Sequence, residues 1–150
     1  MTAIRALSLK LDNRVAASDR GSASANPSGL ILIAERDLKV RDLQTYFLTK
    51  AGFAVEFVDD GQAALDRART LRPALIVTEI LVPIIDGLTL CRRLRDEPTT
   101  HAIPVVVFSI LGAAARADEA GAKAFLRKPL VESVFVTTVQ DLIRSQQAGI

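Results

Sequence analysis

From Leu30 onward, short apolar runs alternate with segments whose apolar residues recur at helical spacing, and this alternation limits the fold more than any other feature. Continuous apolar runs are typical of parallel strands that are covered on both faces. Five such runs are predicted as strands: Leu30–Ala34, 53–58, Leu75–Thr78, 103–109 and 124–126. Five strand–helix units in tandem predict a doubly wound α/β fold, in which a five-stranded parallel sheet is joined by right-handed crossovers.

The segments between the runs predict five helices. The apolar stripe of the first helix consists of Val40, Leu43, Phe47 and Ala51, and it stops at Gly52. The second, third and fourth helices are predicted at Gly61–Leu71, 87–95 and 113–120. The fifth begins after Pro129, and its stripe consists of Val131, Phe135, Val139 and Leu142. Its middle, "VFVTTV", has β propensity, but the helical spacing favours a helix.

Composition excludes several classes of protein. The 150 residues are 49 % hydrophobic and 24 % charged, which is the balance of one soluble domain. The net charge of +2 is too small to predict nucleic-acid binding. No apolar run approaches the ~18 residues of a membrane span. The single cysteine, Cys91, excludes an internal disulfide and fits a cytoplasmic setting.

Three segments are expected along the chain. Residues 1–29 include "AASDRGSASANPSG" and are predicted to be a flexible extension. The alternative for their first dozen residues is a short amphipathic helix that binds a partner. Residues 30–145 form the domain, and 146–150 form a C-terminal tail. No effector follows the fifth helix, which predicts a stand-alone module.

Ionisable or hydroxyl groups follow four of the predicted strands. These groups are Glu35 and Arg36 after the first strand, Glu79 after the third, Ser109 at the end of the fourth and Arg127-Lys128 after the fifth. The carboxyl ends of parallel strands meet at one edge of a sheet, where ligands of α/β proteins bind. The sequence therefore predicts a functional site at that edge.

These residues lie in motifs that resemble the receiver domain of two-component response regulators. The motifs are "ILIAER", where the family has an acidic pair, "EILVPIIDGLTL", where it has an aspartate followed by Pro-x-x-Asp-Gly, "VVVFS" and "AKAFLRKPL". The resemblance covers about residues 30–143. It implies the flavodoxin-like (βα)5 receiver fold with strand order 2-1-3-4-5.

The resemblance also implies roles for individual residues. Family members accept a phosphoryl group on an aspartate at the end of strand three, and that position is Glu79 here. The family's divalent metal, usually Mg²⁺, would be held by this residue, by the acidic-pair position of Glu35 and Arg36, and by the backbone carbonyl of Leu81. Ser109 and Lys128 correspond to the groups that contact the phosphoryl oxygens, and Phe125 to the aromatic switch. Pro83, Asp86 and Gly87 form the turn into the third helix.

Two positions depart from the family's chemistry. Glutamate is one methylene longer than aspartate, which displaces its carboxylate by more than the roughly 0.5 Å that a catalytic constellation tolerates. Arg36 is a permanent cation, which repels a metal ion. Glu35 and Glu79 would be neutralised by Arg36 and Lys128, so we predict that Arg36 pairs with a carboxylate and replaces the metal.

The leading interpretation is an atypical receiver that signals without phosphorylation through protein–protein contacts, with no enzymatic activity and no cofactor. The alternative is a competent receiver that a histidine kinase phosphorylates on Glu79 with Mg²⁺. A homodimer through the face of helix four, strand five and helix five is expected from the family. The short spacing of 19 positions between Ser109 and Lys128 weakens that expectation.

Simpler interpretations stay open for single residues. Glu79 could be a solvated strand-end acid. Arg36 could point into solvent and leave a weak metal site of Glu35, Glu79 and Asp37. Asp37 is otherwise predicted to cap the first helix, and Cys91 to be a core residue. A flavin or nucleotide site is disfavoured because "ERDLKV" has no phosphate-binding glycines.

Overall fold

The computed structural model describes residues 29–148. Residues 1–28 of the predicted extension (1–29) and the last two residues of the chain lie outside the described part. The five helices and five strands alternate as β1 (Leu30–Ala34), α1 (Leu38–Lys50), β2 (Ala54–Val58), α2 (Gly61–Leu71), β3 (Leu75–Thr78), α3 (Gly87–Asp96), β4 (Val105–Ser109), α4 (Ala114–Glu119), β5 (Ala124–Arg127) and α5 (Glu132–Ala148). Most predicted boundaries agree within two residues, and the helix after Pro129 is confirmed.

The sheet is parallel throughout, with strand order β2-β1-β3-β4-β5, which confirms the predicted topology. Neighbouring residues of its central strands point to opposite faces. Ile31 and Ile33 of β1 join a core cluster with α1 and α5, whereas Leu32 and Ala34 join the cluster formed with α2, α3 and α4. Burial on both faces explains why the strands are uninterrupted apolar runs.

Two predicted helix stripes need correction. In α1, Leu43 is 46 % exposed, and the buried positions are Gln44 and Leu48. In the fifth unit, Val131 precedes α5 and is 52 % exposed, while Ile143 is buried. Both segments carry apolar residues on more than one side, so that spacing alone did not select the face that packs on the sheet.

Aspartates begin three of the helices. The Asp37 side chain accepts hydrogen bonds from the N–H groups of Lys39 and Val40, as predicted for a cap of α1. Asp60 and Asp86 cap α2 and α3 in the same way. Each cap holds a strand–helix connection at the carboxyl edge of the sheet.

Between residues 29 and 148, no helix is long and apolar enough to span a membrane.

Candidate functional site

A pocket at the carboxyl edge of the sheet brings together Glu35, Glu79, Ser109 and Lys128, and we call it the carboxyl-edge pocket. Parallel pairing of β1 with β3, β3 with β4 and β4 with β5 places the ends of these strands side by side. Glu35, Glu79 and Ser109 are buried, and the Lys128 side chain is 18 % exposed. Four of the six strand-end residues named from the sequence therefore converge, whereas Arg36 and Arg127 are exposed.

Lys128 bridges the two glutamates. Its Nζ lies 3.0 Å from Oε1 of Glu35 and 3.1 Å from Oε1 of Glu79. Burial lowers the pKa of Lys128, but the two carboxylates outweigh that effect and raise the pKa above its ordinary value. Lys128 therefore stays charged in the pocket.

The Glu79 carboxylate is held by groups from three parts of the chain. Its Oε2 accepts hydrogen bonds from the backbone N–H groups of Ile80, at 2.6 Å, and Leu81, at 3.3 Å. Burial raises the pKa of Glu79, but hydrogen bonds from Ser109, Lys128 and Leu81, with the charge of Lys128, lower it overall. The Ser109 oxygen accepts the Leu111 N–H at 3.2 Å, which leaves the hydroxyl proton free to donate to Glu79.

Glu35 is fixed by the start of α1. Its Oε2 accepts a hydrogen bond from the backbone N–H of Asp37 at 3.1 Å. Its carbonyl oxygen accepts a hydrogen bond from the guanidinium of Arg41. Arg41 also donates to the carbonyl of Val58, at 3.1 Å, and to the carboxylate of Asp59, at 2.6 Å. Sequence reasoning missed Arg41, because its partners Val58 and Asp59 lie 17 and 18 positions away along the chain.

Arg36 does not make the predicted contact. Its side chain is exposed, and among residues 29–148 it forms no hydrogen bond or ion pair with Glu35 or Glu79. An exposed guanidinium pays no desolvation penalty, whereas a guanidinium in this pocket would be a second buried cation beside Lys128. Lys128 alone opposes the two carboxylates, so the pocket has a net charge of −1 and not zero.

The loop from β3 to α3 has a structural role at the positions the resemblance singled out. Asp86 accepts a hydrogen bond from the N–H of Thr89 at 2.8 Å and caps α3. A Cβ on Gly87 would lie 2.4 Å from the carbonyl oxygen of Glu79, so only glycine fits this approach. The Pro83 carbonyl accepts the N–H of Gly61 at 3.1 Å, which ties this loop to the start of α2.

Cys91 and His101 lie away from the pocket. Cys91 is buried in α3, and burial raises the pKa of its thiol to about 12, as expected of a core residue. His101 is exposed, and its Nδ1 lies 3.0 Å from the carbonyl oxygen of Pro98. Neither residue adds a ligand or a nucleophile to the site.

Comparison with known proteins shows which family the chain belongs to. The family model described as "Response regulator receiver domain" matches residues 31–140. The chain belongs to this family. The transcriptional regulatory protein CseB of Streptomyces avermitilis is 35 % identical over 122 residues, which are 76 % of this chain and 48 % of CseB. The response regulator PleD of Caulobacter vibrioides is 34 % identical over 77 % of this chain and 26 % of PleD.

Solved receivers have the same architecture. The signal receiver domain of a histidine kinase from Syntrophus aciditrophicus is 32 % identical with a TM-score of 0.74, covering 79 % of this chain and 92 % of that one. Full-length FixJ from B. japonicum is 28 % identical with a TM-score of 0.72, covering 80 % of this chain and 60 % of FixJ. This chain thus spans about half of CseB and a quarter of PleD.

The receiver family's Mg²⁺ would have to bind to the carboxylates of this pocket. Mg²⁺ prefers octahedral oxygen coordination and usually keeps several waters while it binds one or two carboxylates. Between residues 29 and 148, no group of three or more His, Cys, Asp and Glu residues could hold a metal ion. The pocket supplies two carboxylates, and an ammonium group lies within 3.1 Å of both. Mg²⁺ could bind between these carboxylates only if the Lys128 ammonium group moved away from them, and the expectation of no cofactor stays a prediction.

Phe125, at the receiver's aromatic switch position, is half-buried. It packs against the core cluster that contains Ala113 and Ala117 of the α4 region. Its ring has no hydroxyl group that could hydrogen-bond to Ser109, so packing alone determines its position. The switch role of Phe125 stays a prediction.

Proposed function

We propose that this receiver domain is a phosphorylation-independent signalling or scaffolding module that acts through protein–protein contacts. The observation that supports the proposal is the occupation of the Glu79 carboxylate by Ile80, Leu81 and Lys128, with Ser109 beside them. In the family, the residues equivalent to Ser109 and Lys128 contact the phosphoryl group. Here Lys128 contacts the side chain at the acceptor position directly, and Ser109 lies beside it.

The Glu79 carboxylate then acts as a permanent charge. A glutamate supplies one negative charge where a phosphoryl group supplies nearly two. Its lowered pKa keeps that charge at neutral pH, and the raised pKa of Lys128 preserves the pairing. The pocket is thereby held in one state without a kinase.

Under this proposal the protein has no enzymatic activity, needs no cofactor, and binds neither nucleic acid nor a membrane. Its partners are cytoplasmic proteins, with a histidine kinase or another signalling protein as candidates. Self-association through the face of α4, β5 and α5 is a subsidiary proposal. Sedimentation equilibrium tests it, and a monomer over the whole concentration range contradicts it.

The second candidate is a competent receiver that accepts a phosphoryl group on Glu79. The exposed side chain of Arg36 favours it, because the pocket keeps a net negative charge that a cation could neutralise. For that reaction, a Glu79 carboxylate oxygen must leave Lys128 or the Ile80 and Leu81 N–H groups and attack phosphorus as the donor's leaving group departs. The contacts of Glu79 oppose this step.

Incubation with acetyl phosphate and Mg²⁺, followed by intact-mass measurement, separates the two candidates. The proposal predicts no phosphoryl adduct and no measurable Mg²⁺ binding by calorimetry. A stoichiometric adduct that disappears in Glu79→Gln would overturn the proposal and favour the competent receiver. The positive control is the double variant Arg36→Asp and Glu79→Asp, which restores the family's acids and is expected to bind Mg²⁺ and form the adduct.

A further inference from the structure

A groove between α1 and α5 lies outside the carboxyl-edge pocket. We call it the α1–α5 groove, after its apolar residues Phe47, Ala51, Phe53, Val136 and Ile143. It consists of two cavities of about 310 Å³ and 410 Å³, and Ala51 lines both of them. Polar side chains, including Lys50, Glu132 and Arg144, line its edges.

The apolar surface continues from the groove along α1. Leu43 is 46 % exposed and Tyr46 is 59 % exposed, although both are large apolar side chains. Leu43 lies one turn before Phe47, and the Tyr46 ring centroid lies 5.8 Å from that of Phe47. Packing among residues 29–148 therefore leaves both Leu43 and Tyr46 exposed to solvent. Contiguous apolar surface of this kind marks a binding site.

The described chain begins at one end of the groove. The carbonyl oxygen of Gly29 accepts the backbone N–H of Ala54 at 2.9 Å, which places Gly29 beside Phe53. Residues 1–28 precede this point, and their first part, "MTAIRALSLKL", includes Leu7, Leu9 and Leu11. A leucine-containing segment is therefore joined to the chain next to the groove.

We propose that residues 1–28 of the same chain, the leading segment, dock into the α1–α5 groove through Leu7, Leu9 and Leu11. Leu11 lies eighteen positions before Gly29, and a flexible chain of that length has a root-mean-square span of roughly 23 Å. The groove along α5, from Glu132 to Gln147, is about 22 Å long at ~1.5 Å per residue.

Because the tether length matches the groove length, the segment reaches a local concentration in the millimolar range. A second copy of the chain at micromolar concentration cannot compete with that. This is why we assign the groove to the chain's own segment. The inference concerns a different surface from the carboxyl-edge pocket and does not depend on the phosphorylation state of Glu79.

Disulfide trapping in the full chain tests the proposal. One variant combines Ser8→Cys with Thr137→Cys, since Thr137 lines the groove and is exposed. The matched control combines Ser8→Cys with Thr70→Cys on α2, on the opposite face of the sheet. Thr70 is also exposed and lies four residues before Ala74, whose Cβ would be 2.9 Å from a Cβ on Gly29. The control site is therefore near the point where the segment joins the sheet, so a slower reaction there cannot be attributed to a longer tether.

At micromolar protein under mild oxidation, we expect the intramolecular disulfide to form on the order of tenfold faster with Thr137→Cys than with Thr70→Cys. Adding Leu7→Asp and Leu11→Asp should reduce the Thr137→Cys rate to that of the control. Equal rates at the two positions overturn the proposal. Disulfide-linked dimers that form at a concentration-dependent rate also overturn it, and would assign the groove to a second copy.

Discussion

Polar groups are buried both in the carboxyl-edge pocket and at Gln44 of α1, but only those in the pocket have polar partners. Glu35 is 3 % exposed, Glu79 is 7 % exposed and Gln44 is fully buried. The two carboxylates meet Lys128 and backbone N–H groups. The amide oxygen and nitrogen of Gln44 find no hydrogen-bond partner among residues 29–148.

The paired carboxylates form an organised site, whereas the unpaired amide of Gln44 lowers the stability of the fold. Four strand ends and a loop must come together to satisfy the carboxylates, and a buried charge without such partners would cost several kcal/mol. Gln44 packs where α1 meets the sheet, and an unsatisfied buried amide costs about 1–3 kcal/mol. The fold therefore provides partners for its buried polar groups at the carboxyl edge of the sheet but not under α1.

Removing Lys128 should have the largest effect. Lys128→Met leaves Glu35 and Glu79 buried without a cation, so we expect the free energy of unfolding in urea to fall by about 3 kcal/mol, at the lower end for a buried pair because Lys128 is 18 % exposed. Lys123→Met, at an exposed lysine before β5, should change it by less than about 0.5 kcal/mol. A loss below about 1 kcal/mol for Lys128→Met would mean that the pocket is solvated.

Replacing Gln44 should act in the opposite direction. Gln44→Leu removes an unsatisfied amide and buries apolar surface instead, so we expect a gain of about 2 kcal/mol in the free energy of unfolding. Gln146→Leu, on the exposed side of α5, is the matched control and should be nearly neutral. If Gln44→Leu destabilised the protein, its amide would have a partner that Leu cannot replace.

The same contrast explains what the sequence could predict. Glu35, Glu79, Ser109 and Lys128 follow strands, and parallel topology alone brings strand ends together, so their convergence was predictable. The strands were predictable because burial on both faces leaves uninterrupted apolar runs.

What failed depends on side-chain direction and on distant contacts. Arg36 follows the same strand as Glu35, but the side chains of neighbouring residues point in different directions. The position after a strand therefore does not predict which of the two side chains enters the pocket. Leu43 and Gln44 are adjacent on α1, and the apolar residue was assigned to the core although the helix turns the polar one inward. Arg41 contacts Val58 and Asp59 across 17 and 18 positions, a pairing that no local pattern encodes.

Acid should weaken the pocket and leave the Gln44 effect unchanged. The pKa of Glu79 in the folded protein lies below its ordinary value of 4.5, so its contribution is complete above pH 4.5 and is lost as the pH falls through the lowered pKa. The stability difference between the wild type and Glu79→Gln, measured by urea unfolding from pH 6 to 3, should therefore shrink on acidification. The gain from Gln44→Leu should stay constant, since an amide does not titrate in this range.

At the alkaline end, the sign reverses. The pKa of Lys128 is raised above 10.5, so its contribution is complete below pH 10.5 and is lost only as the pH rises through the raised pKa. Between the two limits the pocket should contribute a constant amount. A stability difference for Glu79→Gln that varied between pH 6 and 8 would contradict the pairing of Glu79 with Lys128.

The smallest expected effect belongs to Arg36. Its side chain is exposed, so Arg36→Gln should change the free energy of unfolding by less than about 0.5 kcal/mol. Arg41→Gln is the matched control: it removes hydrogen bonds to the carbonyls of Glu35 and Val58 and should cost about 1–2 kcal/mol. If Arg36→Gln instead cost as much as Arg41→Gln, the guanidinium of Arg36 would occupy the pocket in solution. The cation that opposes the two glutamates would then be a pair of residues, and the assignment of that role to Lys128 alone would fail.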